Sequence, residues 1–351
     1  MSNSEIIAIK ISKSRIDYID TAKAIGICLV VFGHATIPNE LKIFIYSFHM
    51  PLFFLLTGLT FKICETKKFF KKRMVSLILP YVLLSILFVV KDLAASLLQH
   101  DRTLQSVAKE CLGIFCAMGQ SEYSVKPLWF LPCIFICETL LFALIKLLKN
   151  KKPLILLVSA ALCILSFLLS EHFSLQCPWF IDVAAFSILF MAVGYVFKDK
   201  INAFATGSNI AKNSVFGVVA LLGCIIVSHY NYAITNQIVM FAFGEYANLF
   251  LTIAAAFLGI IAVLAFANLC NSKLSLYIGK NTLFIYGVHY FFLIGSIDIR
   301  ICNIISPDIQ NNNILCTLAA VAFSVVIMVA CCALAIPYNA VMNKVKEKLL
   351  S

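Results

Sequence analysis

Charged residues are scarce in this chain of 351 residues. Asp, Glu, Lys and Arg make up 13% of it, whereas hydrophobic residues make up 62%. Soluble globular domains carry about 25% charged residues and roughly 45–50% apolar ones. The composition therefore excludes a soluble enzyme and a disordered chain, and it predicts a protein that lies in a membrane.

Familiar catalytic and metal-binding motifs are also missing. The chain has no GxSxG, HExxH, Walker A or GxGxxG pattern, and no CxxC pair among its 14 cysteines. These absences argue against a serine hydrolase, a zinc protease, a nucleotide-binding loop and a zinc or redox site of the CxxC type. We therefore expect no metal, and any chemistry should depend on histidine as a general base or an acyl carrier.

Long apolar runs, in contrast, are abundant. A helix needs about 20 predominantly apolar residues to cross a bilayer. Segments of this kind cover residues 21–37, 42–61, 74–96, 127–148, 153–170, 178–197, 213–230, 246–269, 274–297 and 314–340. The predicted fold is an all-α, polytopic helical bundle with about ten transmembrane helices, in which residues 1–351 form a single membrane domain without an appended soluble domain. The stretch 231–245 is ambiguous and could be a re-entrant or interfacial segment.

Lysine and arginine set the predicted orientation of these spans. With the N-terminus inside, 22 of them fall on inside loops and chain ends, and 6 fall on outside ones. Cytoplasmic loops carry such an excess of positive charge, so both termini are predicted to be cytoplasmic. The same rule accounts for the net charge of +11 without a nucleic-acid partner.

Ionisable residues inside the spans are the first candidates for function, because they are costly in a membrane. His34 lies near the outer end of the first span, eleven residues after Lys23, so both face one side of a helix about 16 Å apart. His49 lies in the outer half of the second span, and His289 in the middle of the ninth. Glu138 lies within the fourth span and needs a partner that the sequence does not identify. The structural alternatives are a snorkelling lysine at a helix end and a histidine that hydrogen-bonds a neighbouring helix.

Two tryptophans and an aspartate mark the predicted outer ends of the fourth and sixth spans. Trp129 occurs in PLWFLP, and Trp179 and Asp182 occur in CPWFID. The tryptophans suit an interfacial aromatic belt, or, with His49, the acceptor side of a site. Asp182 is either a carboxylate at the start of a helix or a group that orients a histidine.

The segment 62–73, KICETKKFFKKR, is the most basic part of the chain. Its six Lys and Arg residues are typical of binding to anionic lipid headgroups, or of a docking site for a phosphate-bearing cytoplasmic ligand. In the second case Arg73, helped by Lys71 and Lys72, is the strongest candidate, because it begins the third span and can bind phosphate as a fork.

Six segments of the chain, in order, resemble the membrane acyltransferase-3 family, and in particular its fucose 4-O-acetylase-like branch. They are RIDYIDTAKAIGICLVVFGHATIP, FFLLTGL, RMVSLILPY, PLWFLP, PWFIDVAAFSILFMAVGY and IGKNTLFIYGVH. The first segment carries the family's basic residue and histidine, here Lys23 and His34, with the spacing between them intact. The departures from the family pattern are mild: Lys for Arg at position 23, and Thr for Ser at Thr57 and Thr282.

The resemblance implies an O-acetyltransferase that moves an acetyl or other acyl group from cytoplasmic acyl-coenzyme A to a hydroxyl of an envelope or secreted glycan. It also implies a multi-pass protein of the bacterial cytoplasmic membrane, with acyl-coenzyme A, a sugar acceptor and membrane lipid as partners. Acetyl-coenzyme A would be a co-substrate, and no bound cofactor is expected. His34 would be a general base or an acyl carrier, oriented by Asp182 or His289. Lys23, Lys71, Lys72 and Arg73 would bind the donor.

The main alternative is a transporter or flippase for a glycan or a lipid-linked sugar, because intramembrane His and Glu also serve proton relays. The sequence shows no paired interrupted spans in two halves, which would be typical of an inverted-repeat transporter. A membrane sensor or scaffold is a third interpretation. Release of coenzyme A thiol by the purified protein distinguishes a transferase from both alternatives.

Overall fold

The computed structural model describes residues 3–99, 104–117, 128–173, 176–207, 209–292 and 312–350. Within these ranges the chain is helical, and extended pairing is limited to one isolated antiparallel bridge between Met240 and Glu245. The predicted all-α fold is therefore confirmed.

The helices follow one another closely along the chain. The first seven α-helices are α1 (Asn3–His34), α2 (Asn39–Tyr46), α3 (His49–Thr60), α4 (Thr66–Arg73), α5 (Leu79–Gln99), α6 (Leu104–Cys116) and α7 (Phe130–Leu147). The remaining ones are α8 (Lys152–Phe173), α9 (Ile181–Val196), α10 (Lys198–Ala205), α11 (Ile210–Thr235), α12 (Leu249–Ala267), α13 (Lys273–Lys280), α14 (Thr282–Phe292) and α15 (Asn313–Leu350). A π-helical turn, Met74–Ile78, joins α4 to α5, and 3-10 turns occupy Pro178–Phe180 and Phe241–Phe243.

Eight helical segments among the described residues are long and apolar enough to cross a membrane. They are Asn39–Thr60, Thr66–Lys91, Phe130–Leu147, Lys152–Phe173, Pro178–Val196, Ala211–Thr235, Leu249–Ala267 and Asn313–Leu349. Each coincides with one of the ten predicted spans, and the protein is a polytopic helical membrane bundle.

The other two predicted spans fall on α1 and α14. The described part of α1 carries Asp17, Asp20 and Lys23 before its apolar half begins. Helix α14 is apolar but only 11 residues long, and residues 293–297 of the predicted ninth span lie outside the described part of the chain. A total of ten spans therefore stays a prediction.

The helices group into two compact units, each assembled from separate stretches of chain. The first unit consists of Met1–Leu59, Phe197–Val239 and Ala247–Ala335. The second consists of Thr60–Val196, Met240–Tyr246 and Ile336–Ser351.

The first unit is built around α1, which packs against α12, α13 and α14. Gly279 of α13 lies against the backbone of Asp20, so closely that a Cβ atom at position 279 would collide with the Asp20 carbonyl. This contact fixes α1 at Asp20 against α13. The C-terminal end of α1 is thereby held next to α14, which carries a histidine.

The second unit is built around α7, α8 and α9, with α4 and the π-helical turn packed on α7. The stretch that the sequence left ambiguous contributes a tight turn to this unit. Phe241 and Tyr246 of the turn are buried, and the Tyr246 ring stacks on Phe186 at 3.7 Å between ring centroids. Ser170 of α8 also donates a hydrogen bond to the Gly244 carbonyl at 2.6 Å.

Candidate active site

A pair of histidines marks the first unit. His34 is the last residue of α1, and His289 lies near the end of α14. Their ring centroids are 5.2 Å apart, and the ring planes are inclined by 42°. His289 is completely buried, whereas His34 is exposed. The packing of α1 on α14 thus brings together two predicted site residues that are far apart in sequence.

The hydrogen bonds of His289 determine which of its nitrogens carries the proton. Nδ1 lies 2.7 Å from the Tyr286 carbonyl oxygen and 3.1 Å from that of Ile285. Carbonyl oxygens only accept hydrogen bonds, so in the neutral ring Nδ1 is the protonated, donating nitrogen and Nε2 keeps its lone pair. Nε2 is buried and has no hydrogen-bond partner among the described residues. His289 therefore presents an unused proton acceptor next to His34.

Two tyrosines also lie next to the histidine pair. The Tyr290 ring meets His34 edge to face at 5.9 Å between centroids. The Tyr46 hydroxyl donates a hydrogen bond of 2.8 Å to the carbonyl of Gly33, directly before His34. A Cβ atom at position 33 would lie 2.9 Å from the Tyr46 ring, so the close approach of α2 to this end of α1 depends on glycine. Neither tyrosine was predicted, because a tyrosine next to an apolar run carries no signal of its own.

His49 joins this group through Tyr46. Its ring lies 5.1 Å from the Tyr46 ring, and its Nδ1 donates to the Ile45 carbonyl at 2.8 Å. His49 therefore also keeps its lone pair on Nε2. Through Tyr46 it lies beside the C-terminal end of α1, and its outer location and its role on the acceptor side stay predictions.

Lys23 lies on the same continuous helix as His34, as the spacing predicted. It forms an ion pair of 3.4 Å with Asp20, one turn earlier on α1. The lysine is partly exposed and has a counter-ion on its own helix. Its part in donor binding stays a prediction.

The second unit contains the partner of Glu138. Arg73 Nε lies 2.6 Å from Glu138 Oε2, and only 19% and 4% of the two side chains are exposed. The contact is an ion pair without an aligned hydrogen bond, since neither atom has a well-directed hydrogen-bond partner. The guanidinium carbon also lies 5.6 Å from the centre of the Phe69 ring and 6.0 Å from that of Phe61. Phe69 in turn stacks on Phe142 of α7 at 4.2 Å.

The other basic residues of the 62–73 segment remain at the surface. Lys71 and Lys72 precede Arg73 on α4 and are exposed. Lys146, two turns after Glu138 on α7, donates a hydrogen bond to the Thr66 hydroxyl at 2.5 Å. This bond and the Phe69–Phe142 stack hold the basic helix α4 along α7.

Trp179 has an unusual backbone conformation. Its φ of 59° lies in the left-handed region, which is uncommon for a bulky residue, and Phe180 follows with a φ of 55°. Two hydrogen bonds hold Trp179 there: Nε1 donates to the Phe115 carbonyl at 2.8 Å, and the backbone N–H donates to the Ala117 carbonyl at 3.1 Å. Such conformations cost about 1–3 kcal/mol and concentrate at binding and catalytic sites. The second tryptophan, Trp129, is buried and packs 5.8 Å from Phe180.

Asp182 has partners within the second unit. Asp182 lies in the first turn of α9, and its Oδ1 accepts a hydrogen bond of 3.2 Å from the N–H of Cys177, five residues earlier. This arrangement is typical of a carboxylate at a helix N-terminus. His34 and His289 belong to the first unit, so an orienting role of Asp182 toward His34 stays a prediction. Among the described residues, no group of three or more His, Cys, Asp or Glu could hold a metal ion.

The fold and these residues define a polytopic helical membrane protein with a histidine pair in one unit and an arginine–glutamate pair in the other. A family model described as an acyltransferase domain matches residues 16–335, a range that includes both pairs. The chain therefore belongs to the acyltransferase-3 family, and the protein is a membrane acyltransferase. Searches of the curated proteins and of the solved structures gave no significant match.

Proposed function

We propose that this acyltransferase moves an acetyl or other acyl group from cytoplasmic acyl-coenzyme A to a hydroxyl of an envelope or secreted glycan, in the cytoplasmic membrane of a bacterium. The resemblance to the fucose 4-O-acetylase-like branch supports this choice of acceptor. The observation that carries the proposal is the contact between His34 and His289. A hydroxyl is a weak nucleophile until a base removes its proton, and neutral histidine is the side chain best suited to that task near neutral pH.

In this reaction the acceptor hydroxyl oxygen attacks the carbonyl carbon of the thioester. A C–O bond forms, the C–S bond breaks, and the hydroxyl proton passes to a ring nitrogen of His34. The sulfur leaves as the coenzyme A thiolate and takes the proton back from His34. Nothing is oxidised or reduced, so no further reactant is required.

His34 is the residue that meets the acceptor, because its ring is exposed while that of His289 is buried. We assign His289 an orienting role. With its Nδ1–H bound to backbone carbonyls, its unpaired Nε2 is left to accept an N–H from the His34 ring during the reaction, which would favour one orientation of His34. His34 could also carry the acyl group itself before passing it to the hydroxyl.

We assign the remaining predicted site residues either to the donor site or to the acceptor site. Arg73, with Lys71, Lys72 and Lys23, would bind the phosphates of coenzyme A through charge-assisted hydrogen bonds. His49, Trp129 and Trp179 would contact the sugar. The restrained, left-handed backbone at Trp179 supports a binding role, because an aromatic ring held in one orientation is a suitable platform for a sugar face.

The decisive experiment supplies purified protein with labelled acetyl-coenzyme A and a panel of glycans. The proposal expects release of coenzyme A thiol and transfer of label to one class of glycan, both dependent on acceptor. A protein that transports sugar but releases no thiol with any acceptor would overturn the proposal in favour of a transporter. Acid quenching without acceptor distinguishes the two roles of His34, because an acyl carrier leaves label on the protein and a base leaves none.

The orientation required for a cytoplasmic donor is tested separately by cysteine labelling. Thr66 lies in the basic segment that the charge distribution predicts to be inside, and His172 lies in the last turn of α8, at the end predicted to be outside. In a background without reactive native cysteines, His172→Cys should react with an impermeant thiol reagent in intact cells, and Thr66→Cys should not. The reverse pattern would contradict the predicted orientation.

A further inference from the structure

We infer that Glu138 is a positioning residue that holds Arg73 ready for the phosphates of the acyl donor; this inference rests on the proposed function. The sequence identifies Glu138 as a carboxylate within an apolar span, but not why it is there. The structure places its Oε2 atom 2.6 Å from Arg73 Nε, with 4% of the glutamate side chain exposed.

The contact uses one part of the guanidinium and leaves the other free. Arginine has a single N–H on Nε and two NH₂ groups that together form a fork for phosphate or carboxylate. Glu138 faces the Nε end. Among the described residues, the two NH₂ groups have no hydrogen-bond acceptor, and part of the Arg73 side chain is exposed. The fork is therefore available to an anion from outside the chain.

Further contacts restrict the guanidinium from other sides. The Phe69 and Phe61 rings lie within 6.0 Å of its central carbon, and Phe69 is itself fixed by its stack on Phe142. Because Glu138 and Phe142 both belong to α7, one helix positions the glutamate and the aromatic support together. An arginine restricted in this way loses less conformational freedom when it binds a phosphate than a free surface arginine does.

The backbone next to Arg73 is also irregular. Arg73 ends α4, and the π-helical turn Met74–Ile78 follows directly. Turns of this type are rare and appear frequently at functional sites, because the extra residue changes the direction in which neighbouring side chains point. Lys71 and Lys72, which directly precede Arg73, are exposed. Arg73 therefore differs from the other basic residues of its segment in being held.

A purely electrostatic explanation predicts different behaviour. If Glu138 acts only through its charge, any neutral residue in its place should have the same effect on phosphate binding, and that effect should be tighter binding. If Glu138 acts through the close contact of its oxygen with Nε, a neutral residue with an oxygen in the same place should retain most of the effect, because the oxygen still carries a partial negative charge, and an apolar residue should not. Glutamine and leucine make this distinction, since both remove the charge and fill a similar volume.

The test measures binding of coenzyme A to purified Glu138→Gln and Glu138→Leu proteins by titration calorimetry, beside Arg73→Ala. We expect Glu138→Gln to bind within about threefold of the wild type, and Glu138→Leu to bind roughly tenfold more weakly. The KM for the acyl donor should follow the same order, with the acceptor KM unchanged. Thr139→Val is the matched control, because the neighbouring Thr139 hydroxyl donates its hydrogen bond to the Phe135 carbonyl of its own helix.

The possible results separate this inference from the proposed function. If the wild type binds no coenzyme A, or if Arg73→Ala binds it as well as the wild type, the proposed donor site is wrong. If Arg73→Ala weakens binding but Gln and Leu at position 138 bind equally well, the positioning role of Glu138 is wrong and the donor site stands. In the Arg73→Ala background, Glu138→Leu should cause no further loss of affinity, and an additional loss would also contradict the inference.

Discussion

The two units contain polar pairs of different character. In the first unit, His34 and His289 are two imidazoles whose ring centroids lie 5.2 Å apart. In the second, Arg73 and Glu138 have opposite charges and approach to 2.6 Å. Histidine is the side chain that most readily takes up and releases a proton near neutral pH, which suits a general base. The ion pair is instead a fixed arrangement of charge.

Under the proposed function, this difference assigns a different part of the chemistry to each unit. Proton transfer requires a group that changes its charge during each turnover, and histidine does so most readily. Binding of a phosphate requires a charge that does not change, and arginine is protonated at any physiological pH. The following predictions test this division. A variant of one pair that affects the step assigned to the other pair would contradict it.

The largest effect is expected for His34→Ala. Loss of a positioned general base typically reduces the rate by about 10²–10⁴-fold. The affinity for coenzyme A should stay within about threefold, because the histidine pair does not belong to the proposed donor site. The measurement is label transfer to the glycan beside calorimetric binding of coenzyme A. His172→Ala, a change at an exposed histidine of α8, should leave both quantities unchanged.

A smaller loss of rate is expected for His289→Ala. It removes the orienting group and leaves the base in place, so kcat should fall by about 10–100-fold, less than for His34→Ala. The double variant should be no slower than His34→Ala alone, because residues that act as a unit are strongly non-additive. Equal and additive losses for the two single variants would instead assign them independent roles.

A change in the ion pair should move the donor KM rather than kcat. Arg73→Ala removes a charge-assisted contact of about 1.5–3 kcal/mol, so the affinity for acyl-coenzyme A should fall roughly ten- to a hundredfold. Arg73→Lys should restore only part of it, because an ammonium cannot bind a phosphate with a fork. Lys67→Ala and Lys68→Ala, changes at exposed positions of the same helix, serve as controls.

Stability must be measured with these Arg73 variants, because removal of one partner of a buried ion pair costs about 3–5 kcal/mol. Circular dichroism and thermal unfolding would show whether Arg73→Ala remains folded. If all the basic residues of 67–73 prove interchangeable in the donor KM, the segment binds lipid headgroups and not the donor.

The smallest effect is expected for Tyr46→Phe. The change removes the 2.8 Å hydrogen bond to Gly33 and should reduce the free energy of unfolding by about 0.5–1.5 kcal/mol. Because this bond holds the end of α1 beside α2, the rate should fall modestly through His34, with no change in coenzyme A affinity. Tyr195→Phe is a suitable control, since that hydroxyl bonds to Asn150 at an exposed position of the second unit. An unchanged free energy of unfolding for Tyr46→Phe would show that the Tyr46 bond contributes little.

Most of the fold could be predicted from the sequence. Eight of the ten predicted spans are helices that can cross a membrane, because a run of about 20 apolar residues is a local property with few other stable structures. The spans at α1 and α14 were harder to predict from the sequence. In α1 the charges at Asp17, Asp20 and Lys23 shorten the apolar part, and at Asn281 the chain turns between α13 and α14.

Individual site residues could also be found from the sequence, because a histidine or a glutamate within an apolar run, or an arginine at the start of one, is conspicuous. The sequence by itself determined an all-helical membrane protein, and it singled out His34, His289, Arg73 and Glu138. Only the tertiary structure decided how they pair, as His34 with His289 and Arg73 with Glu138. It also added Tyr46 and Tyr290 to the histidine pair. The physical reason is that each of these contacts joins different helices, and the packing of one helix on another depends on the shapes of many side chains rather than on any local pattern.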